Sequence, residues 1–277
     1  MTVVVVTDSS ACLGDSLTRE MGIDVAPLHV LVDGVDLREG VDPIPTDFVA
    51  GGPVTTSGAS PGELATLYRS ALERSRGAGV VAVHVSRGLS STWEAARRAA
   101  SEIDGDIRVV DSSSVGMGLG YAALAAARAA ARGDAVDDVY DVAVAVAARS
   151  RTFVVVDRLE HLRRGGRIGT AAALVGTALS MKPVLHLSDG KLVLGEKTRT
   201  TSKALNKLVD AVAGVAGEHK VALTVHHMQC PDRADTVAAS LRERISQAES
   251  IDIVSLGAVL GAHVGPGAVG VAVCVED

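Results

Sequence analysis

Aromatic side chains are nearly missing from this chain of 277 residues, which has one Trp, three Tyr and two Phe. The net charge is -6 and no basic block occurs. With little to stack on bases and nothing to track a phosphate backbone, nucleic acid is not expected as a partner. Cysteine is scarce too. Cys12, Cys230 and Cys274 are odd in number and far apart, without spacing for a metal or a disulfide framework, and they read as reduced, partly buried core residues. The eight histidines form no H-x-x-x-H or H-E-x-x-H pattern, and the neighbours His226 and His227 point to opposite faces of a strand, so neither a metal nor a cofactor is expected. No apolar run reaches the roughly 18 residues of a membrane span, and Met1 to Asp8 lacks the basic start of a secretory signal. The expectation is a soluble cytoplasmic protein without stable membrane insertion.

What the chain does have is aliphatic bulk. Hydrophobic residues make up 47%, enough for a sizeable core in one large or two ordinary domains. Val3 to Val6 is a β-branched run that suits a strand buried on both faces and opens into Thr7-Asp8-Ser9-Ser10. Further strands are expected over Val25 to Val32, Val80 to Val85, Ile107 to Val110 and Phe153 to Val156. Helices are expected over Asp15 to Met21, from Pro61 to about Arg74, Thr92 to Ser101, about Gly116 to Ala131, and Val136 to Ser150. This alternation predicts an α/β fold with a mostly parallel sheet and flanking helices in the first half. The stretch from Asp36 to Val54 reads as irregular.

Near Arg149 to Asp157 the pattern changes, and we place a domain boundary there, giving domains 1–150 and 151–277. The second half reads as a mixed α/β layer. It opens with a short helix stopped by Gly165 and Gly166. Lys182 to Leu187 and Leu192 to Lys197 then form a hairpin turning at Asp189-Gly190. Helices follow over Thr200 to Val215 and Arg233 to Ile245, with strands over Val221 to Val225, Ile251 to Leu256 and Val269 to Val275. Leu256 to Gly270 reads as a glycine-rich loop that holds His263 where backbone comes close to a ligand, or else as a loop with a structural histidine.

Candidate chemistry gathers at helix starts. In Val83 to Trp93 an apolar run stops at Ser86-Arg87-Gly88-Leu89-Ser90-Ser91-Thr92, and the unpaired N–H groups of a first helical turn favour an anion there. Ser91 and Glu94 have capping-box spacing, so Ser91 is expected to cap the helix while Ser90 and the N–H groups beside it serve a guest. Gly58-Ala59-Ser60-Pro61-Gly62 matches the nucleophile elbow G-x-S-x-G. It is better explained by Ser60 as a helix cap, Pro61 at the first helical position and Glu63 closing a capping box. An acyl hydrolase using Ser60 and His263 is kept as the alternative activity. Gly116, Gly118 and Gly120 lack dinucleotide spacing and are expected to let a helix pack closely on a sheet. Arg163, Arg164 and Arg167 favour a helix C-terminus or form a docking patch for an acidic partner.

Taken in order, several segments resemble one family. Thr7-Asp8-Ser9-Ser10, Thr56-Ser57-Gly58-Ala59-Ser60, Gly88 to Thr92, Val110-Asp111-Ser112, Gly165-Gly166-Arg167-Ile168, Lys182-Pro183, Arg199 and Gly261 to Gly267 together resemble the DegV family of bacterial fatty-acid-binding proteins, from end to end. The resemblance implies a two-domain fold with a ligand tunnel between the domains, holding one long-chain fatty acid. It also implies a carrier that is not itself an enzyme and presents the carboxylate to a separate fatty acid kinase for lipid synthesis. It carries over Thr56 and Ser90, with Ser57 and Ser91 beside them, as head-group residues, and His263 as the nearby histidine. Arg199 is carried over as an arginine linked to the site or to the kinase surface. The family further resembles the substrate subunit of dihydroxyacetone kinases, so a small polyol held through His263 is a third reading. This chain has Ala59, Arg87 and Ser91 where the family commonly has Pro, Ser and Gly. Arg87 either pairs with the carboxylate or points to solvent. The composition agrees with this reading, since aliphatic residues can line a slot at about 0.8 kcal/mol per buried CH₂ and hydroxyls can offset burial of a carboxylate.

Overall fold

The computed structural model describes residues 1–49, 54–169 and 181–276. Alternation along the first strand sets the architecture. In β1 (Val4–Asp8) Val5 packs to one side and Val6 to the other, because successive side chains leave opposite faces. Helix α1 (Asp15–Met21) leads back to β2 (Ile23–Ala26), which lies parallel to β1. Pro27 has no N–H to give a ladder, and the chain leaves the sheet there. The single strand expected over Val25 to Val32 is therefore two. The next three strands are β3 (His29–Val32), β4 (Val35–Arg38) and β5 (Val54–Ser57). They form a separate antiparallel sheet in the order β4-β3-β5. β4 thus falls at the edge of the stretch read as irregular, and Asp33 and Gly34, at φ of 50° and 81°, make its turn.

Helix α2 (Pro61–Ser75), β6 (Val80–His84), α3 (Thr92–Ser101), β7 (Ile107–Asp111), α4 (Met117–Ala131) and α5 (Val136–Arg149) follow. They complete a parallel sheet in the order β2-β1-β6-β7. Helices α2 and α3 cover the face of Val6, Val80 and Ala82. Helices α4 and α5 cover Val5, Val81 and Val83.

At Ser150 the chain enters a second sheet. Its elements are β8 (Ser150–Val155), α6 (Glu160–Arg164), β9 (Lys182–Ser188), β10 (Lys191–Thr198), α7 (Thr201–Ala216) and β11 (Val221–His227). They continue with α8 (Pro231–Arg244), β12 (Ala248–Ser255), α9 (Ala258–Val264) and β13 (Val269–Val275). The strand order is β10-β9-β8-β13-β11-β12, antiparallel except for the β11–β12 pair. Helices α7 and α8 cover one face through Leu208, Val212 and Leu241.

The other face of this sheet meets α4. Tyr121 and Thr224 share a hydrogen bond of 2.8 Å, and His226 Nε2 accepts the Met117 N–H at 3.0 Å. A Cβ on Gly118 would lie 2.5 Å from Thr152 Oγ1, and one on Gly116 would lie 3.0 Å from His226 Nε2. Gly116 and Gly118 thus let α4 approach the second sheet closely, while Gly120 packs against Ala11 and Leu13.

The glycine-rich stretch Leu256 to Gly270, read as a loop, contains α9. Gly261 sits inside that helix because a side chain there would lie 2.7 Å from Met228 Sδ. Close packing, rather than a turn, explains it.

Candidate functional site

The loops after β1 and β6, the small sheet, the α4-facing side of the second sheet, and α6 with α9 all converge. Together they enclose a cavity at the carboxyl ends of the parallel strands, where open α/β sheets place ligands. Its empty space, part of it open to solvent, is about 960 Å³. Leu28, Val85, Leu89, Leu162, Leu192 and Leu260 are among its aliphatic walls. Gly270 on β13 stands between His226 and Val154 in register, and all three line the cavity. Having no side chain, Gly270 leaves the middle of that row open.

The polar wall is built from three places. Thr56 comes from β5, His263 from the last turn of α9, and Arg167 from just beyond α6. Thr56 Oγ1 and His263 Nε2 are 2.8 Å apart. Arg167 spends Nε on the Leu89 carbonyl at 2.8 Å and Nη1 on the Gly165 carbonyl at 2.6 Å. Both bonds go to neutral acceptors, so its charge is uncompensated by them. Burial, reinforced by the Arg167 guanidinium, pushes His263 down to about 4, so at neutral pH the imidazole is uncharged and Arg167 is the cation of this wall. Gly165 makes this packing possible, because a side chain there would collide with His263 Nδ1. Reciprocally, a side chain on Gly265 would collide with His161, so α6 and α9 lock together through two histidine-glycine contacts. Glu39, after β4, accepts the Val259 N–H of α9 at 2.9 Å and ties that helix to the small sheet. Burial pushes its carboxyl up.

Thr56, Ser57, Ser90 and His263 all line the cavity. Gly58 packs over Ser90 and Thr92, where a Cβ would lie 2.5 Å from Thr92 Oγ1. Two expectations at this junction are corrected. Ser91 stands at the helix start but makes no capping bond and is exposed. Ser90 does that work, accepting the Thr92 N–H at 3.3 Å and sharing a bond with Thr92 Oγ1 at 2.9 Å. The Ser90 N–H is not free either, since it donates to the Ser86 carbonyl at 3.0 Å. The backbone here turns tightly around Ser86, whose carbonyl takes the Leu89 and Ser90 N–H groups.

Other candidates lie elsewhere. Arg199 is exposed on the turn before α7 and does not line the cavity. Ser60 caps α2, with Glu63 Oε2 at 2.7 Å from its hydroxyl, so it is not brought to His263. Arg87 points out, 3.3 Å from Asp111 Oδ2 and with its guanidinium carbon 5.4 Å from the Trp93 ring centroid. Of the three arginines read as a docking patch, Arg163 and Arg164 are exposed while Arg167 turns inward. Its one sequence signal was its place directly after a glycine pair, which lets the chain double back. The Cys12 thiol is pushed up to about 12 by burial, leaving it protonated and unreactive.

Comparison with known proteins places the family and the fold. A family model described as uncharacterised protein, DegV family, matches residues 2–276. The chain belongs to the DegV family. A DegV domain-containing protein of Mycobacterium tuberculosis is 50% identical over 276 residues, covering 100% of this chain and 98% of the relative. A structure from Thermus thermophilus, described as fatty acid binding of a DegV family protein, is 30% identical with a TM-score of 0.93, covering 100% of both chains. DegV of Bacillus subtilis, described as a fatty acid binding protein, is 29% identical with a TM-score of 0.88, again covering 100% of both. Members of the family thus share this pairing of a parallel sheet with a separate mixed sheet. Among the described residues, no helix is long and apolar enough to cross a membrane.

Proposed function

We propose that the chain binds one long-chain fatty acid in this cavity, with the carboxylate on Thr56, Arg167 and Ser90, beside His263 and Ser57, and the tail among the leucines and valines. The observation that carries this reading is the composition of the lining. Among the described residues no carboxylate lines the cavity, much of its wall is aliphatic, and a guanidinium bonded to two carbonyls stands at its polar side. An aliphatic tail gains about 0.8 kcal/mol per buried CH₂. A carboxylate loses solvation on entry and recovers it through charge-assisted bonds.

On this reading the halves 1–150 and 151–277 act as two domains that clasp the ligand. The chain is a carrier rather than an enzyme and hands the carboxylate to a separate fatty acid kinase, with the exposed Arg199 on the kinase-facing side. The cytoplasm is where such a partner would be met.

Lipid extraction and native mass spectrometry of the purified protein are expected to show one acyl chain per protein. Thr56→Ala and Arg167→Ala are each expected to weaken binding of a C16 acid by about 1 to 3 kcal/mol, the range for a bond to a charged group. Protein without acyl chains and without affinity for such acids would overturn the ligand class. Unchanged affinity in both variants would overturn the head-group assignment.

A further inference from the structure

We propose that Glu39 is a positioning residue of the binding site: it sets α9 in place from outside that helix, and through α9 it sets His263 and part of the aliphatic wall. This deepens the fatty-acid reading and rests on it for the ligand.

Helix α9 has little to hold it on its own. It is 7 residues long, below the length at which a helix persists alone in water, and Ala258 to Val264 includes a glycine and two β-branched valines, all poor helix formers. Its N-cap residue is Gly257, which has no side chain to accept the unpaired N–H groups of the first turn. Glu39 supplies the acceptor instead. Its carboxylate takes the Val259 N–H at 2.9 Å, with the Ala258 N–H beside it, and a negative charge suits the positive end of a helix. A Cβ on Gly257 would collide with that carboxylate. The residue that cannot cap its own helix thus makes room for the group that does.

Glu39 is itself fixed. Its N–H donates to the Leu28 carbonyl at 2.8 Å, and the Leu28 N–H donates to Ser9 Oγ at 3.1 Å. Asp42 closes the turn around it by accepting the Arg38 N–H at 2.8 Å. The carboxylate is therefore held relative to the small sheet and to the loop after β1. From there the lever is short. Val259 and Leu260 line the cavity, and His263, one helical turn beyond Val259, meets Thr56 at 2.8 Å. Thr56 is on β5 and Glu39 follows β4, the two outer strands of the small sheet. Helix α9 is thus tied to that sheet from both outer strands, once at its start and once in its last turn. With one tie the helix can pivot; with two, the imidazole and the aliphatic wall are set together. Glu39 does not line the cavity, so its effect on a ligand passes through α9.

The test compares Glu39→Ala, Glu39→Gln, Gly257→Ala and the double variant Glu39→Ala with Gly257→Ala in the full chain. Leu241→Ala, in the core under α7 and α8 and away from the cavity, is the destabilised control. Affinity for a C16 acid is measured by calorimetry. The His263 imidazole signals are read by NMR on acid-free protein and assigned by their loss in His263→Ala. Glu39→Ala and Gly257→Ala are each expected to weaken the acid about tenfold, the order of one lost cap, and to move the His263 signals. Glu39→Gln keeps an acceptor oxygen and is expected to stay within about threefold, the share of the charge alone, with the signals near their original place. Both single changes break the same contact, so the double variant is expected to be no weaker than either. Leu241→Ala is expected to lower stability while affinity and signals stay unchanged. Equal weakening by Leu241→Ala and Glu39→Ala overturns the proposal, and so do His263 signals that stay in place in folded Glu39→Ala or Gly257→Ala protein. If Glu39→Ala does not fold, Gly257→Ala and Glu39→Gln carry the same comparison. Unaltered protein without affinity for the acid overturns the ligand reading instead, and the acid-free His263 signals still decide the role of Glu39.

Discussion

Asp8, His84 and Tyr68 lie behind the cavity, and Thr56, His263 and Arg167 lie at its polar wall. The two clusters draw on hydroxyl, imidazole and charge, yet the first is closed and the second open. Asp8 and His84 are completely buried. The Asp8 carboxylate accepts from the Ser10 N–H at 3.1 Å and the Ser10 hydroxyl at 2.5 Å on one oxygen. Its other oxygen accepts the Val85 N–H at 2.9 Å and faces His84 Nδ1 at 3.0 Å. Tyr68 closes the chain at 2.7 Å from His84 Nε2. Each lone pair of Asp8 that can be used is used. In the open cluster, by contrast, His263 Nδ1 has no partner among the described residues, and Arg167 offers N–H groups beyond its two carbonyl bonds. Leftover hydrogen-bonding capacity, rather than residue type, distinguishes a site from a scaffold.

The largest expected effect tests the closed side of that contrast. Asp8→Ala strands the His84 imidazole and the Val85 and Ser10 donors in a dry interior, and we expect it to cost about 3 kcal/mol or more in urea unfolding, since each buried group left without its partner costs about 1 to 3 kcal/mol. Thr56→Ala, in the open cluster, is expected to cost under about 1 kcal/mol of stability while it weakens the ligand. A reversal of that order would remove the distinction.

A smaller effect comes from acid. Burial holds His226 and His263 each at about 4 in the fold, against an ordinary value of about 6.5 in the unfolded chain. Between those values the unfolded chain binds protons that the fold refuses, so stability is fully present above pH 6.5 and falls as the pH drops. Each imidazole is expected to remove about 2 kcal/mol by pH 5. Glu39, whose carboxyl is raised, acts in the opposite direction, adding stability as the pH falls through its raised value toward the ordinary one. Bound fatty acid sharpens the comparison. A carboxylate beside His263 favours its protonated form, so the loaded protein is expected to lose less of its thermal stability at pH 5 than the empty one. His226 Nε2 already accepts the Met117 N–H, so the His226 share is expected to change less with ligand. Equal acid sensitivity with and without ligand would place the carboxylate elsewhere.

The sequence made the regular parts of this fold readable because local physics decided them. Asp15–Met21, Thr92–Ser101 and Val269–Val275 have the bounds their patterns predict, and the hairpin turns at Asp189 and Gly190 with φ of 49° and 72°. What was not legible depended on partners distant in the chain. Strand β4 exists because β3 offers it an edge, and α9 carries a glycine at position 261 because Met228 and Phe48 take the space that a side chain there would need. Arg167 looked like a surface cation because nothing local tells that Gly165 and Gly166 fold it back toward Leu89. Thr56 came from the family resemblance alone, whereas His263, 207 residues away in sequence, was also marked by its glycine-rich setting.

The smallest expected effect concerns two adjacent serines at the start of α3. By sequence spacing Ser91 caps the helix and Ser90 waits for a ligand. In the structure Ser90 holds Thr92 through backbone and side chain, while Ser91 is exposed and makes no capping bond. Ser91→Ala is therefore expected to shift stability by less than about 0.5 kcal/mol, as for an uninvolved surface position. Ser90→Ala is expected to cost about 1 kcal/mol, as loss of a cap does, and to weaken the fatty acid as well. Paired denaturation curves separate the two, with ligand titrations alongside. A costly Ser91→Ala beside a silent Ser90→Ala would restore the capping box. If Ser90→Ala lowers both stability and affinity, one hydroxyl belongs to both clusters' logic, accepting from the helix while its own proton is left for the guest.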